Sequence, residues 1–393
     1  MTITLRPHQQ TATDAMLVHS KGQVIVPTGG GKTMCMIKDA INTFETLDGY
    51  KTIIVVVAPR ILLAEQLCSE FLEHIDDVAV AHCHSGETHH FSTTNASVLH
   101  NWSAQAYRKQ LIFTTYHSLK RLEQAQIDVH TIYFDEAHNS VQKNFFGPTE
   151  HFSADADRCY FFTATPKHSA TISKPGMNLP EVYGQVICNV PAPLLVEQGY
   201  ILPPKVVVKQ LEMVQDKQMI ADRDSANLLE TIEDNKVDKV LICARNTKQI
   251  IGLISQSDFC KELKKRGYSW MTITSKTGAI IDGQKVNREQ FFDTLNAWGK
   301  DSSKKFVVLH HSILSEGINV SGLEAVLFMR SMDYIGISQS IGRVIRLGDS
   351  QKTFGLVCVP VYDRVGISTS KKVQAVVDTI FHKGEPAISV VKR

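Results

Sequence analysis

The sequence lacks several features that would assign a protein to a class directly. Its apolar runs all stay below the roughly 18 residues of a membrane-spanning helix, so no segment is predicted to cross a membrane. The first residues, MTITLRPHQQ, lack the charged and apolar regions of a secretory signal. The formal net charge of +2 is too small to indicate nucleic-acid binding by itself. The hydrophobic content of 43% nevertheless permits a sizeable core.

The eight cysteines include no C-x-x-C pair, which argues against a zinc ribbon and a thioredoxin-like redox motif. They are predicted to be small buried side chains in a reducing compartment such as the cytoplasm. One segment, AHCHSGETHH (81–90), surrounds Cys83 with His82, His84, His89 and His90. Its spacing matches no standard set of zinc ligands, so a solvated loop is favoured over a metal site.

Short apolar runs separated by helix-length stretches dominate the sequence. A length of 393 residues suits two α/β domains, and apolar runs of this kind are typical of parallel strands covered by helices on both faces. The predicted strands are QVIV (23–26), TIIVVVA (52–58), LIFTT (111–115), TIYF (131–134) and CYFFTA (159–164), then KVLICA (239–244), WMTIT (270–274), KFVVLH (305–310), AVLFM (325–329) and FGLVCVPV (354–361). Alternation with helices predicts right-handed βαβ units.

The predicted domains are residues 1–195 and 196–393. The segment PAPLLVEQGYILPP (191–204) carries four prolines and is the best linker candidate. The polar stretch 211–236 is compatible with a helical excursion, a flap or a mobile loop, and the sequence does not decide among them. In the second half, TKQIIGLISQSDFCKELKKRG and NREQFFDTLNAWG are predicted to be helical.

VPTGGGKT (26–33) follows the first predicted strand and opens a helix, which is the context of a phosphate-binding loop. Backbone amides of such a glycine-rich loop can approach phosphate oxygens closely. Lys32 is expected to neutralise charge on the phosphates, and Thr33 is expected to ligate Mg²⁺. The predicted ATP contacts in this loop are Thr28, Gly29, Gly30, Gly31, Lys32 and Thr33. Val26 stands where the strict motif has glycine.

DEAH (135–138) comes directly after the predicted strand TIYF. Residues at the carboxyl ends of parallel strands face the same crevice as a phosphate loop. Asp135 is therefore a candidate ligand of Mg²⁺, and Glu136 is a candidate to orient or deprotonate the attacking water. His138 is expected to couple this site to the next motif.

The order of these and further motifs resembles that of superfamily 2 helicases over almost the whole chain. LRPHQ (5–9) resembles the opening glutamine motif, in which Arg6 and Gln9 would contact the nucleotide and Gln9 would read adenine. APR (58–60) resembles motif Ia, TTYHSL (114–119) a strand-contacting motif, and TAT (163–165) motif III, with Thr163 and Thr165 in coupling roles. EGINVSGL (316–323) resembles motif V, in which Gly317 and Asn319 would contact the nucleotide. The resemblance implies two tandem RecA-like parallel-sheet domains with an ATP cleft between them.

QSIGRVIR (339–346) resembles motif VI of the same superfamily. Its spacing places Arg343 and Arg346 three residues apart on a predicted helix, so that both guanidinium groups can point the same way. Arginine suits a developing phosphoryl charge because it is always ionised and offers a planar donor fork. The resemblance implies that both are arginine fingers and that Gln339 lies near the γ-phosphate.

A nucleic-acid strand is expected to cross both domains, held mainly through its phosphates. The residues that the resemblance assigns to this role are Pro59, Arg60, Gly86, Thr114 and Thr115 in the first domain, and Arg245, Asn246, Thr274, Lys276, His311 and Ser312 in the second. Each threonine at a strand end has the alternative of capping the following helix. Binding is expected to be sequence-independent and salt-dependent.

The sequence thus predicts an ATP- and Mg²⁺-dependent nucleic-acid helicase that functions as a monomer. The motif style is closest to phage recombination-type DNA helicases, which favours DNA over RNA and forked, branched or hybrid substrates. The compact length favours a viral or phage enzyme, or the motor part of a larger assembly. The alternatives are a duplex translocase without strand separation, an RNA helicase, and a nucleotide-gated nucleic-acid clamp. A metabolic P-loop kinase would not need a second lobe with an arginine motif.

Overall fold

The computed structural model of the chain describes residues 3–86, 88–171, 173–211, 217–274, 276–311, 322–330, 332–347, 353–362 and 367–391. The predicted contacts Ser312, Gly317 and Asn319 lie outside the described residues. The chain forms two compact units, of which unit 1 is Met1–Pro191 with Pro386–Arg393 and unit 2 is Ala192–Glu385. The sequence-based division into 1–195 and 196–393 remains a prediction of domain organisation.

Unit 1 contains a parallel sheet flanked by helices. Its strands are β1 (Lys21–Ile25), β2 (Thr52–Ala58), β3 (Ala79–Cys83), β4 (Phe91–Ser92), β5 (Lys109–Thr115), β6 (Thr131–Phe134), β7 (Arg158–Thr163), β8 (Lys167–Ser169) and β9 (Val186–Asn189). Its helices are α1 (Pro7–Val18), α2 (Lys32–Thr46), α3 (Ile61–Leu72), α4 (Ala96–Ser103), α5 (Leu119–Gln124), α6 (Lys143–Asp155) and α7 (Pro180–Tyr183), and a 3₁₀ turn covers Ala137–Asn139. The sheet order is β4-β3-β5-β2-β6-β7-β1-β9, and the described pairs in it are parallel.

The strand order of unit 1 positions the predicted motifs. All seven residues of β2 are buried, as expected for a strand covered on both faces. Strands β6, β7 and β1 are neighbours, so the segments that follow their carboxyl ends meet at one edge of the sheet. Those segments are DEAH, TAT and the phosphate loop, while APR follows β2 beside β6. The parallel-sheet prediction for the first domain is confirmed.

Unit 2 repeats the layered design with a mixed edge. Its strands are β10 (Pro204–Leu211), β11 (Lys239–Cys243), β12 (Ser269–Thr274), β13 (Gly278–Ile281), β14 (Gln284–Val286), β15 (Phe306–His310), β16 (Ala325–Phe328) and β17 (Gly355–Tyr362). Its helices are α8 (Ala192–Glu197), α9 (Lys217–Asp234), α10 (Thr247–Ser255), α11 (Phe259–Lys265), α12 (Arg288–Lys300), α13 (Tyr334–Val344) and α14 (Ile367–Val377), followed by a π-helical turn at Asp378–His382. The order is β10-β17-β16-β11-β15-β12-β13-β14, with β13 and β14 added antiparallel.

Two segments left open by the sequence have regular structure. The proline-rich stretch 191–204 contains α8 and ends where β10 begins, so part of it belongs to unit 2 rather than to a plain linker. Within 211–236, residues 217–234 form helix α9, which favours the helical alternative. Leu228 and Ile232 of this helix are buried in the core of unit 2.

The stretch TKQIIGLISQSDFCKELKKRG is helical as predicted, but it forms two helices, α10 and α11, instead of one. The break falls at the polar residues between Ser255 and Phe259. There the Ser257 hydroxyl donates to the Leu253 carbonyl at 2.8 Å and accepts from the Phe259 amide at 3.3 Å. Such local side-chain bonds offer the backbone an alternative to continued helix.

The C-terminal strand β18 (Ser389–Val391) returns to unit 1 and pairs in parallel with β8. The sequence analysis did not predict either strand. Both are only three residues long, which is too short for a periodic pattern to be seen. Within the part of the chain that the structure describes, no helix has the length and apolar character needed to cross a membrane.

Candidate nucleotide-binding site

The predicted phosphate loop joins β1 to α2. Gly29 and Gly31 have φ angles of +88° and +83°, in the left-handed region that favours glycine. Gly31 is the N-cap residue of α2, whose first helical residue is Lys32. Free amides at a helix N-terminus attract anions. The segment therefore has the backbone of a phosphate-binding loop.

Residues at the start of α1 support this loop from one side. The Arg6 amide donates to Gln9 Oε1 at 2.9 Å, and Gln9 Nε2 donates to the Gly31 carbonyl at 3.2 Å. His8 Nε2 lies 2.7 Å from the Gly30 carbonyl. A Cβ at Gly31 would lie 2.3 Å from Gln9 Nε2, so a side chain at 31 would displace the Gln9 amide, and φ +83° would strain it as well.

His8 is a supporting residue that the sequence analysis missed. Its contact to Gly30 requires Nε2 to carry a proton, since the carbonyl only accepts. Burial lowers the pKa of His8 from its ordinary value, so the neutral form is favoured. The residue stands inside LRPHQ, beside the predicted Gln9, and this position in the motif is the signal that could have indicated it.

The acidic pair of DEAH lies beside the loop lysine. Lys32 Nζ is 3.3 Å from Glu136 Oε1, and both side chains are nearly buried. Burial raises the pKa of Asp135 to about 7, the charge of Glu136 adds to the rise, and Lys32 opposes it. Glu136 has φ +46°, an unusual value for a residue other than glycine. This arrangement holds two carboxyl groups and an ammonium group at the edge where phosphates would lie.

The oxygen donors at this edge fit a nucleotide with Mg²⁺. The Thr28 hydroxyl is buried and has no hydrogen-bond partner among the described residues, so it is available to a phosphate oxygen. The hydroxyl of Thr33 and the carboxylate of Asp135 are the hard oxygen ligands that Mg²⁺ prefers. These two residues would hold the metal, whose chemistry there is to neutralise charge on the phosphate oxygens.

His138 joins DEAH to the TAT segment. Its Nδ1 atom lies 3.0 Å from Thr163 Oγ1, 3.4 Å from Thr165 Oγ1 and 3.5 Å from Glu136 Oε2. The Thr165 amide donates to Thr163 Oγ1 at 3.0 Å. Asn139, which the sequence analysis did not single out, places its side-chain amide 3.3 Å from His138 Nε2. The structure therefore brings the three predicted coupling residues together.

The residues of unit 1 that were predicted to contact nucleic acid fall into two groups. Arg60 is exposed at the N-terminus of α3, directly after Pro59, and Gly86 packs so closely on Ile61 that a Cβ would lie 2.5 Å from Ile61 Cγ2. Thr114 and Thr115 instead are buried at the end of β5. Their hydroxyls bond to the Cys83 carbonyl at 2.9 Å and to Ser118 Oγ at 3.4 Å.

In unit 2, the described residues that were predicted to contact nucleic acid lie at the carboxyl ends of β11, β15 and β12. These three strands are neighbours in the sheet. Arg245 and Lys276 are exposed. Asn246 caps α10 by accepting from the Gln249 amide at 2.9 Å. Thr274 bonds to Thr277 at 2.7 Å, and His311 Nδ1 lies 3.2 Å from the Ala244 carbonyl. Asn246 thus caps a helix, whereas Thr274 bonds to a residue just before β13 and caps no helix.

The arginine motif lies on and beyond α13. Gln339 and Arg343 are buried residues of this helix. Burial, followed by the positive charge of Arg343, lowers the pKa of His310, and the same charge opposes the rise that burial causes in the pKa of Cys243, so the guanidinium group lies near the carboxyl ends of β15 and β11. The helix ends at Val344, and Arg346 forms an isolated antiparallel bridge with Ile201. The prediction that both arginines share one helix is therefore wrong.

The solvated loop that the sequence favoured for 81–90 is confirmed only in part, since His89 and His90 are exposed whereas residues 81–84 are buried. His82 and His84 are buried at the end of β3, and Cys83 points into the hydrophobic core of unit 1. His82 Nδ1 and His84 Nε2 approach Glu65 of α3. Glu65 was not considered in the sequence analysis, because nothing in the sequence indicates that α3 packs beside β3.

Comparison with known proteins agrees with this geometry. Residues 2–168 match the family model described as "Type III restriction enzyme, res subunit". No curated protein matches the chain in sequence. Similar solved structures include the ATP-dependent Type ISP restriction-modification enzyme LlaBIII bound to DNA, with 17% identity and a TM-score of 0.75 over 99% of this chain. A nuclease-deletion mutant of the Type ISP enzyme LlaGI with a DNA substrate mimic gives 18% identity and a TM-score of 0.69 over 98%.

This chain spans only 31% and 30% of the length of those two proteins. A structure of Mss116p bound to ssRNA and AMP-PNP gives 15% identity and a TM-score of 0.64, covering 99% of this chain and 75% of that one. At such identities the likeness is one of fold, and it extends over both units. The likeness shows the fold of two tandem RecA-like units, and residues 2–168 carry the family match.

Proposed function

We propose that the chain is an ATP-dependent motor that acts on nucleic acid as a helicase or translocase, with DNA as its polymer. The contact between Lys32 Nζ and Glu136 Oε1, 3.3 Å apart beside Asp135, carries the proposal. Phosphate-loop NTPases need these groups together, because a lysine stabilises the transferring phosphoryl group while a carboxylate orients the attacking water. A structural role alone does not explain two carboxyl groups and one ammonium group gathered at a glycine-rich loop.

In the proposed reaction, the amides of the loop from Gly29 to Lys32 hold the phosphates. The Lys32 ammonium group leaves Glu136 for the phosphate oxygens when ATP binds, because it then meets a higher density of negative charge. Glu136, released from this ion pair, accepts a hydrogen bond from the attacking water and orients it. Gln9 would select adenine. Gln339, Arg343 and Arg346 are proposed to stabilise the developing charge, on the strength of their motif.

The proposed nucleic-acid track consists of the exposed cations and nearby backbone at strand ends. In unit 1, Pro59, Arg60 and Gly86 lie together around the start of α3. In unit 2, Arg245 and Lys276 are exposed near His311 at neighbouring strand ends. Thr114 and Thr115 would contribute through their backbone, since their hydroxyls are already bonded. Such contacts hold phosphates without reading bases.

DNA is proposed as the polymer for two reasons. The motif style resembles that of DNA-directed helicases, and two of the similar structures are restriction-modification enzymes bound to DNA or a DNA mimic. Mss116p bound to ssRNA has the same fold, so fold alone does not select DNA. Forked, branched or hybrid substrates, action as a monomer, a phage or viral origin and a cytoplasmic location are further parts of the proposal.

The test is steady-state ATP hydrolysis by the wild-type chain and by Lys32→Ala. Each is measured without nucleic acid and with single-stranded DNA, forked DNA, duplex DNA and RNA. We expect DNA to raise wild-type turnover many-fold, and we expect Lys32→Ala to remove turnover under every condition. Background turnover with every polymer would reject the motor and leave a nucleotide-gated clamp. Stronger stimulation by RNA than by DNA would reject the choice of polymer alone.

A duplex translocase that does not separate strands is the second candidate. The family match to a restriction-enzyme subunit and the two restriction-modification structures favour it. A fluorescent strand-displacement assay on forked DNA and a triplex-displacement assay on duplex DNA distinguish the two activities. A helicase displaces the paired strand, whereas a pure translocase displaces only the third strand.

A further inference from the structure

Three potential metal ligands converge at the edge of unit 1, away from the phosphate loop. Glu65 Oε1, His82 Nδ1 and His84 Nε2 lie within 4.8 Å of one another. The two nitrogen atoms are 2.9 Å apart, and Glu65 Oε1 is 3.3 Å from His82 Nδ1 and 3.0 Å from His84 Nε2. No other group of three such residues with this geometry occurs among the described residues.

The local fold explains this convergence. Successive side chains of an extended segment alternate between faces, so His82 and His84 share one face while Cys83 takes the other. Cys83 packs in the hydrophobic core, and its thiol donates to the Ser118 carbonyl at 3.9 Å. The face of the histidines is covered by α3, which supplies Glu65. The Cys83 thiol is thus not among the converging atoms. The third group is the carboxylate of Glu65, 17 positions before His82.

The geometry is close to one face of a tetrahedral site. Zinc binds imidazole nitrogen and carboxylate oxygen at about 2.0–2.1 Å, which places tetrahedral ligand atoms roughly 3.3–3.4 Å apart. The three observed separations of 2.9, 3.0 and 3.3 Å need to widen only slightly to meet this value. Two histidines and one carboxylate are a known zinc ligand set that leaves the fourth position open.

The surroundings support the ligands in two ways. Thr88 Oγ1 donates to Glu65 Oε2 at 3.0 Å, so the outer carboxylate oxygen is fixed while Oε1 faces the histidines. Such outer bonds orient ligands in metal sites. His82 and His84 are buried and their rings are in contact, with centroids 4.9 Å apart, so the orientation of both imidazoles is fixed as well.

We propose that Glu65, His82 and His84 bind one divalent transition-metal ion of the zinc class, with solvent at the fourth position. Imidazole nitrogens with one carboxylate suit Zn²⁺, Co²⁺ and Ni²⁺ better than Mg²⁺, which prefers oxygen ligands. The fourth position opens beside Glu65, whose side chain is 28% exposed, while both histidines are buried. The ion joins α3 to the end of β3 and is distinct from the metal at the phosphate loop.

Metal binding changes the role of one backbone amide. The Gly86 amide donates to His84 Nδ1 at 3.2 Å, which requires that His84 carry its proton on Nε2. A metal ion bound to Nε2 requires the proton of the neutral imidazole to lie on Nδ1. The Nδ1–H group and the Gly86 N–H group are then two donors that face each other. The hydrogen bond then breaks and the Gly86 amide becomes available to another acceptor. If the proposed function is correct, that acceptor is a phosphate of the nucleic-acid strand.

The first experiment is a titration of the metal-stripped full-length chain with Co²⁺, in the absence of nucleotide and Mg²⁺. We expect one equivalent to bind and to give the visible absorption of tetrahedral cobalt, and we expect Zn²⁺ to displace it. The variants His84→Ala and Glu65→Gln should lose the absorption. His89→Ala is the matched control, because His89 is an exposed histidine of the same segment and should bind as the wild type does.

Thermal unfolding guards against variants that fail to fold. A ligand that binds only the folded state raises its melting temperature. Zn²⁺ should therefore raise the melting temperature of the wild type and of His89→Ala, and leave those of His84→Ala and Glu65→Gln unchanged. Absence of tetrahedral cobalt absorption in the wild type would overturn the proposal, as would equal binding by His84→Ala. In that case the three residues are a hydrogen-bonded triad. The ATPase test above does not depend on this result.

Discussion

The Nδ1 atom of His138 lies 3.0 Å from the hydroxyl of Thr163, and this buried contact joins DEAH to the TAT segment. His138 also lies 3.5 Å from Glu136 Oε2, while Thr163 accepts from the Thr165 amide. A change in the position of Glu136 can therefore reach the segment after β7 through one imidazole. Parallel strands β6 and β7 make the contact possible, because they are neighbours and end at the same edge.

We expect His138→Ala to keep basal ATP hydrolysis within a few-fold of the wild type and to lose most of the stimulation by DNA. The reason is that the substitution removes the link between the two segments and leaves Lys32, Asp135 and Glu136 in place. The measurement is the ratio of turnover with and without single-stranded DNA. His151→Ala, which changes an exposed histidine of α6, is the control and should keep the full ratio.

The double variant His138→Ala/Thr163→Val refines this test. If the two residues act through their mutual contact, the second substitution adds little to the first. If the two substitutions caused additive losses of stimulation by DNA, the residues would act independently. A large loss of basal ATP hydrolysis in His138→Ala would instead assign the imidazole to the chemical step.

Glu136→Gln should retain ATP binding and lower turnover by about 10²–10⁴-fold, the usual contribution of a positioned general base. The amide is similar in size but does not accept a proton. Loss of the Lys32 ion pair should leave the affinity for ATP equal or higher, because Lys32 is then free for the phosphates. Nucleotide binding by fluorescence and turnover at saturating ATP separate the two effects.

Glu150→Gln is a suitable control for this prediction, because Glu150 is an exposed carboxylate of α6. A Glu136→Gln variant with nearly normal turnover would assign the water-positioning role to another residue. Equal losses of binding and turnover would instead indicate that Glu136 mainly maintains the shape of the loop.

The strands and motifs of the candidate nucleotide-binding site could be predicted because their signals are local. TIIVVVA and TIYF are continuous apolar runs, and they form strands with the predicted bounds. In an α/β sheet, the carboxyl ends of such strands gather at one edge, so Lys32 and Glu136 could be expected to meet. Their meeting also depends on the order of the strands in the sheet, which the sequence analysis did not predict and which places β6, β7 and β1 side by side.

Other features depend on tertiary packing that no local pattern encodes. Strand β3 has the sequence AVAHC, in which a histidine interrupts the apolar residues, and it forms because β5 and β4 pair with it on both sides. The partner of His82 and His84 is Glu65, from a helix that is separate in sequence. Arg346 leaves α13 because the backbone there pairs with Ile201, more than 100 positions earlier.

Gln9→Ala should weaken ATP binding by about tenfold, since it removes the hydrogen bonds to the Arg6 amide and the Gly31 carbonyl. If Gln9 also reads adenine, the preference for ATP over GTP should narrow as well. Competition binding with both nucleotides measures the two effects. Gln10→Ala is the matched control, because Gln10 is the next residue of α1 and is exposed. If the binding of ATP and of GTP were weakened equally, Gln9 would support the phosphate loop without reading adenine.

His310 predicts a specific loss of stability in acid. Burial, followed by the charges of Arg343 and Arg330, holds the pKa of His310 well below its ordinary value of 6.5. In the unfolded chain the same imidazole takes up a proton as the pH falls through about 6.5. The unfolded state then binds more protons than the folded state, so the free energy of unfolding falls below that pH and is unaffected above it.

One such histidine lowers the free energy of unfolding at about pH 5 by roughly 2 kcal/mol relative to its value at about pH 7.5. In His310→Gln, the difference in the free energy of unfolding between these two pH values should shrink by that amount. Unit 2 contains Trp270 and Trp298, so urea unfolding followed by tryptophan fluorescence in a Trp102→Phe background reports on it alone. His382→Gln is the comparison variant, because His382 is an exposed histidine of unit 2. If the free energy of unfolding fell equally between the two pH values in His310→Gln and in its parent, His310 would be protonated in the folded state despite its burial.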